Sequence, residues 1–196
     1  AAGLLYEGAA VTLNGGSLTL AGNASGSNGG SATLSGTALT LNSANQEDRW
    51  TVRDTSLSGS STLTKTGNGT VTLSGTHTAN GTWNINAGTL VFTGTRDITG
   101  GGQINIASGA VLDASGGRLF HAANYASNWE QPTITLNGGT LKLNQFGYNS
   151  ASLGCLQNNF YALKFSSGTT SRVIISQGYE SGGTGSRGIY LSLIHI

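Results

Sequence analysis

Short runs of alternating apolar and polar residues recur along this chain, and most are entered through a glycine. After Gly69, for example, Val71 and Leu73 alternate with Thr70 and Thr72. Successive side chains of a β-strand point to opposite faces of the sheet, so such a run predicts a short strand with one buried face. The pattern predicts a core built from the pairs Leu18/Leu20, Leu39/Leu41, Val71/Leu73, Leu90/Phe92 and Leu141/Leu143.

The spacing of these runs indicates how the strands are arranged. Most steps between their first apolar residues are close to 20 residues, the first apolar residues being Leu18, Leu39, Val71, Leu90, Val111 and Leu141. A period of roughly 20 residues with two or three short strands favours a β-solenoid, in which each coil covers the core of its neighbour. Asn-Gly dipeptides such as Asn80-Gly81 also favour tight hairpins, so an antiparallel sandwich is the alternative fold. We predict one all-β solenoid over residues 1–190.

Two segments interrupt the pattern, Asn45–Asp54 and Arg118–Gln131, and both fall within the longer steps. The first is rich in charged residues and the second in aromatic residues, so both are predicted to be irregular excursions from the rod. Aromatic rings in these excursions are candidate contacts for surface glycans or a protein partner. The candidates are Trp50, Phe120, Tyr125 and Trp129. The alternative, which the residue types favour, is that these rings cover a face of the rod.

Two further residues of the repeat are assigned by their surroundings. His77 lies in a polar stretch between two runs and is predicted to be solvated. Trp83 alternates with Ile85 and is predicted to pack in the core.

The composition excludes several classes of protein. The chain has 196 residues, of which 32 are glycine and only 9% are charged, with a net charge of +1. Hydrophobic residues make up 37%, which disfavours disorder. Lys and Arg are scattered, so binding to nucleic acid through its phosphates is not expected. No apolar run is long enough to suggest insertion into a membrane.

Residues suited to catalysis or metal binding are few. Cys155 is the single cysteine, so no intrachain disulfide is possible, and no His/Cys pair has the spacing of a zinc site. Asp97 and Asp113 are spaced so that they can stack on neighbouring coils, as the calcium ligands of a polysaccharide lyase would. The charged cluster at residues 47–54 balances its own charges, as a solvated loop does. We therefore expect no catalytic site, no metal and no cofactor.

Both ends of the sequence look cut. The first residues, AAGLLYEG, contain neither an initiator methionine nor the features of a signal peptide. Residues 191–196, LSLIHI, resemble the translation of a common sequencing adapter, so they are excluded from functional argument together with His195. The expectation is an internal piece of a longer protein.

The stretch from Leu63 to Phe92 resembles the autotransporter-associated β-strand repeat of bacterial passenger domains. The repeat runs L-x-K-x-G-x-G-x-L-x-L-S-G, then a polar loop, then G-x-x-x-[VI]-x-x-G-x-L. The matching residues are Leu63, Lys65, Gly67, Gly69, Leu73, Ser74, Gly75, Gly81, Ile85, Gly88 and Leu90. Val71 replaces the usual first leucine, and the polar loop His77–Asn80 departs from the common Asn/Thr/Tyr segment.

The resemblance implies a right-handed parallel β-helix, secreted or exposed on the bacterial cell surface at or beyond the outer membrane. It implies a structural repeat without an active site, serving as a stalk or adhesin and aiding export. The alternative function is a carbohydrate-active β-helix, either a polysaccharide lyase or a glycan-binding module.

Overall fold

Short strands follow one another along the whole described part of the chain. The computed structural model describes residues 10–14, 17–21, 26–28, 31–52, 55–96, 102–117, 119, 133–143, 145–146, 155–156, 162–175 and 194–195. In chain order the strands are β1 (Ala10–Asn14), β2 (Ser17–Ala21), β3 (Gly26–Asn28), β4 (Ser31–Ser35), β5 (Ala38–Asn42), β6 (Arg49–Val52), β7 (Thr55–Ser58), β8 (Thr62–Thr66), β9 (Thr70–Leu73), β10 (Thr76–His77), β11 (Trp83–Ile85), β12 (Thr89–Phe92), β13 (Thr95–Arg96), β14 (Gln103–Ile106), β15 (Val111–Asp113), β16 (Thr133–Leu136), β17 (Thr140–Leu143), β18 (Gln145–Phe146), β19 (Cys155–Leu156), β20 (Ala162–Phe165), β21 (Thr170–Ile175) and β22 (Ile194–His195).

The strands form three long sheets, and from β1 to β15 the chain visits them in turn. Sheet A has the order β1-β4-β7-β10-β13, and sheet B has the order β2-β5-β8-β11-β14-β16-β20. Sheet C has the order β3-β6-β9-β12-β15-β17-β21-β22, and β18 pairs with β19 separately. Every pairing is parallel except that of β21 with β22. From β1 to β15 one strand in each sheet therefore makes one coil. The predicted right-handed parallel β-helix is confirmed.

Parallel stacking aligns equivalent residues of successive coils into columns that run along the rod. The innermost column of sheet B contains Leu39, Leu63, Trp83, Ile104 and Ile134, each paired with the next. These side chains are buried, whereas the residues that alternate with them are half-buried or exposed. Because neighbouring coils cover each other's apolar residues, no single coil needs a core of its own.

The coil length is close to the predicted one in the first coils. Leu39, Leu63, Trp83 and Ile104 follow one another at intervals of 24, 20 and 21 residues. The assumed register, however, is wrong between Leu39 and Val71. Leu39 belongs to sheet B and Val71 to sheet C, so the long step between them is a change of sheet rather than an insertion. Strands of both sheets follow tight turns, so the glycine-apolar pattern does not distinguish them.

The structure tests the first of the two predicted excursions but describes almost none of the second. Within Asn45–Asp54, Arg49–Val52 forms strand β6 and pairs with β3 and β9, so its prediction as a loop outside the rod is wrong. The turn before it departs from the coil, and Asp48 closes that turn by accepting a hydrogen bond from the Asn45 amide at 2.8 Å. Residues 53 and 54 lie outside the described residues. The second excursion, Arg118–Gln131, lies outside the described residues except for Leu119, which is buried.

Candidate functional site

Three basic side chains lie fully buried inside the rod at positions where other coils carry apolar residues. Lys65 in β8 pairs with Leu41 and Ile85. His77 in β10 pairs with Leu57 and Arg96, and Arg96 in β13 is itself buried. Buried basic groups are costly unless the surrounding atoms satisfy them, so these three residues are the candidate site of this chain.

Lys65 closes the corner between sheets B and C. Its ammonium group donates hydrogen bonds to the carbonyl oxygens of Thr66 at 2.7 Å, Gly67 at 2.9 Å and Ala87 at 3.1 Å. The first two acceptors belong to its own coil and the third to the next coil. Burial lowers the pKa of Lys65 to about 8, so the group is charged at neutral pH and all three of its donors are used. Lys65 therefore joins two successive coils.

Gly67 has to be a glycine for this corner to form. Its φ is +72°, and a Cβ atom there would lie 2.0 Å from the carbonyl oxygen of Ser43 in the preceding coil. A side chain would therefore be both conformationally strained and in collision with backbone. Gly81, at another corner, is equally confined, with an added Cβ 2.0 Å from the carbonyl oxygen of Ser61.

We expect Lys65→Met to destabilise the rod by about 1–3 kcal/mol, because it removes three hydrogen bonds and leaves carbonyl groups buried without that donor. Chemical denaturation monitored by circular dichroism measures this change. Lys164→Met is the matched control, since Lys164 is also in sheet B but is exposed. Equal stability of the two variants would contradict the role of Lys65.

His77 lies within a cluster of aromatic rings. Its ring centroid is 5.4 Å from that of Trp83 in an edge-to-face arrangement and 5.5 Å from that of Phe92. Trp83 and Phe92 are also edge-to-face, with centroids 5.2 Å apart. Neither ring nitrogen of His77 has a hydrogen bond of good geometry within the described residues. The prediction that His77 is solvated is therefore wrong, and the prediction that Trp83 is packed is confirmed.

Arg96 lies against the same rings. The centre of its guanidinium group is 4.5 Å from the centroid of a Trp83 ring, which is a cation–π contact. A second contact is the hydrogen bond that Arg96 donates to the carbonyl oxygen of Gly81 at 3.0 Å. Burial lowers the pKa of Arg96 to about 9, which leaves the side chain protonated at neutral pH.

The electrostatics of His77 follow from this arrangement. Burial, and then the positive charge of Arg96, lower the pKa of His77 to about 3, while the backbone of Ser74 acts weakly in the opposite direction. The imidazole is therefore neutral at physiological pH. A catalytic histidine needs access to substrate and a pKa near the working pH, and His77 has neither.

The carboxylate of Asp113, one of the two predicted calcium ligands, has a structural role. Asp113 lies 3.5 Å from Lys142 on the outer side of sheet C and accepts a hydrogen bond from the Ser115 hydroxyl at 2.6 Å. Asp97, its predicted partner in a calcium site, lies outside the described residues. In the part of the chain that the structure describes, no three His, Cys, Asp or Glu residues group together as metal ligands.

Of the four aromatic residues predicted to contact a glycan or protein, only Trp50 is placed. Its Cα pairs with that of Val71 in sheet C. Buried side chains occupy the same column in the following coils, at Val71, Leu90, Leu112 and Leu141. The backbone of Trp50 thus belongs to strand β6 rather than to a loop. Phe120, Tyr125 and Trp129 lie outside the described residues, so their role remains a prediction.

Fold and site together define a parallel β-helix whose buried polar groups bind its own backbone and rings. Residues 63–92 match the family model described as passenger-associated-transport-repeat. The predicted resemblance to the autotransporter passenger repeat is thereby confirmed for this stretch. The match covers 30 of the 196 residues. This repeat is generally structural and is typical of autotransporter passenger domains, which are secreted or exposed on the bacterial cell surface. Neither the curated proteins nor the solved structures give a match.

The matched stretch contains more than one coil. It runs from β8 to β12 and so includes two strands of sheet B, two of sheet C and one of sheet A. Both ends of the contact between Lys65 and Ala87 fall within it. Among the described residues, no helix is long and apolar enough to cross a membrane.

Proposed function

We propose that this chain is a non-catalytic segment of a passenger domain that forms a rigid rod at the bacterial surface, as a stalk or adhesin. The observation that supports this most directly is the use of the matched repeat positions. Leu63, Leu73, Ile85 and Leu90 are all fully buried residues of the core. Lys65 binds the backbone of two coils. These residues join one coil to the next and leave none of their groups for a ligand.

The same arrangement supports a role in export. Each strand from β1 to β17 pairs only with its equivalents in the neighbouring coils, so a coil can fold as soon as the one beside it is in place. Folding that proceeds from one end suits a chain that crosses a membrane as an extended polypeptide. Stepwise coil formation outside the cell would then oppose backward movement of the chain.

Surface display tests this proposal. The chain is placed between an export signal and an outer-membrane translocator, and its exposure is measured by protease digestion of intact cells. A matched variant carries residues 63–92 in scrambled order, which keeps length, charge and composition. We expect several-fold less surface-exposed chain for the scrambled variant. Equal display of both chains would count against a role of the folded repeat in export.

The carbohydrate-active alternative is tested separately with the isolated chain. The proposed rod should release no product from uronate polymers at neutral pH with added calcium. Measurable cleavage would replace the structural assignment by that of a lyase. Binding to a glycan array without cleavage would keep the rod and identify it as an adhesin.

A further inference from the structure

The column of buried residues in sheet A that contains His77 changes from apolar to basic side chains along the rod. Leu34, Leu57, His77 and Arg96 are successive buried members of this column. Two leucines are thus followed by an imidazole and a guanidinium group in the next two coils. A neutral imidazole fits this core as a flat ring between Trp83 and Phe92. An imidazolium would place a second cation beside Arg96 in a site that is closed to water.

Backbone pairing in sheet A is weakest at the same two coils. β1 and β4 share five residue pairs, and β4 and β7 share four. β7 and β10 share one pair, and β10 and β13 share two. Fewer ladder hydrogen bonds make local opening of a segment less costly. The segment that protonation of His77 would destabilise is therefore the one with the fewest strand pairs in sheet A, and the backbone hydrogen bonds from Thr78 and Asn80 to the carbonyl oxygens of Leu57 and Gly59 hold it in addition.

The charged groups around His77 can be named for every strand that packs against it. β13 contributes Arg96, whereas β7, β11 and β12 contribute no charged side chain. Lys65 in the neighbouring β8 directs its ammonium group to the carbonyls of Thr66, Gly67 and Ala87. Among the described residues, no carboxylate faces the imidazole. Nothing described on these strands would therefore compensate a positive charge on His77.

We propose that His77 and Arg96 form an acid-sensitive seam, at which β10 and β13 detach from the rod when His77 takes up a proton. The seam has a defined boundary on one side. The strands that follow in sheets B and C contain an apolar core made of Ile104, Ile106, Leu112, Ile134, Leu136, Leu141 and Leu143. Protonation of His77 leaves the contacts of these residues intact, so the opening is local.

The sign and the range of the effect follow from linkage. In the unfolded chain His77 has a pKa of about 6.5, and in the rod its pKa is lowered to about 3. Above about pH 6.5 both states are neutral, so His77 adds no pH dependence there. As the pH falls from about 6.5 towards 3, the open state binds a proton that the closed state does not, and opening becomes about tenfold more favourable per pH unit. At pH 4.5 opening is favoured about 100-fold relative to pH 7.5.

Hydrogen exchange of the full 196-residue chain, followed by mass spectrometry at pH 7.5 and pH 4.5 and corrected for intrinsic rates, tests the seam. Peptides covering β10 and the residues after it (76–80) and peptides covering β13 (93–96) should lose about 100-fold more protection in the wild type than in His77→Leu. Peptides covering residues 133–143 should be alike in both. Leucine is the matched replacement because it occupies this column at positions 34 and 57. If His77→Leu does not fold, His77→Gln serves as the neutral variant.

Each alternative result overturns the proposal. The same acid loss in wild type and variant would assign the effect to carboxylates, whose titration the two chains share. Loss across residues 133–143 as well, in the wild type alone, would mean that His77 destabilises the whole rod and that no seam exists. Full protection of residues 76–80 and 93–96 at pH 4.5 in the wild type would mean that the core tolerates the imidazolium.

Discussion

Removal of residues 63–82 should leave a folded rod that is one coil shorter, whereas removal of residues 63–92 should abolish cooperative folding. The first deletion joins Thr62 to Trp83, which is the residue that pairs with Leu63 in the next coil. Sheet B then continues directly from β5 to β11, and every later strand keeps its sheet. The second deletion removes the whole matched repeat and joins Thr62 to Thr93, which leads into sheet A. Only Thr62 of β8 remains, so β7 would be followed directly by β13, and the chain would miss both sheet B and sheet C in that coil.

The comparison is read from far-ultraviolet circular dichroism, thermal unfolding and small-angle scattering. The shorter deletion should retain a β spectrum and a single transition, with a rod shortened by about 4.8 Å. The longer deletion should show no cooperative transition, because the columns beyond the junction meet the wrong neighbours. Cooperative unfolding of both variants would show that the coil assignment is wrong. Loss of cooperative unfolding in both variants would show that the removed coil is indispensable even when every later strand keeps its sheet.

Trp83→Ala should cost about 3–5 kcal/mol of folding free energy, the largest effect expected of a point substitution in this chain. Trp83 is fully buried, and its ring contacts the side chains of His77, Phe92 and Arg96. Its removal leaves a cavity and also takes away the ring face on which the guanidinium group lies. Denaturant titration of the purified chain measures the change.

Trp83→Phe provides the control for this substitution. It keeps an aromatic ring in the column between Leu63 and Ile104, so it should cost less than half as much as the alanine variant. Equal losses of folding free energy in Trp83→Phe and Trp83→Ala would mean that stability depends on the full size of the indole and not only on the presence of an aromatic ring. A loss below about 1 kcal/mol for alanine would mean that the core closes around the cavity.

The fold could be predicted because the relevant information is local and repeated. Each coil carries apolar residues at alternate positions and glycine at tight corners, so the core pairs Leu39/Leu41 and Leu90/Phe92 were identified correctly. The sheet to which each run belongs could not be determined. The alternating runs that form strands of sheet B look the same in sequence as those that form strands of sheet C. A constant coil length would distinguish the two sets, but the coil length varies by several residues.

The candidate site was less accessible to prediction. β10 contains only Thr76 and His77, and two residues cannot display an alternation, so a polar pair in a strand resembles a loop. Lys65 was recognised as part of a motif, but its acceptors include Ala87 in the next coil. Such a contact can be predicted only when it is known which residues of successive coils pair with each other. For β6, the charged residues around Arg49–Val52 obscured a strand whose partners lie one coil away on either side.

The stacking of each strand on the preceding coil also has a kinetic consequence. Most β proteins fold slowly because their strands pair across long stretches of sequence. Here partners such as Trp83 and Ile104 are separated by little more than one coil. The relative contact order of the rod is therefore on the order of 0.1, in the range of helical bundles. The parallel sheets that make up the described rod should accordingly form their pairings at rates more typical of an α-helical protein.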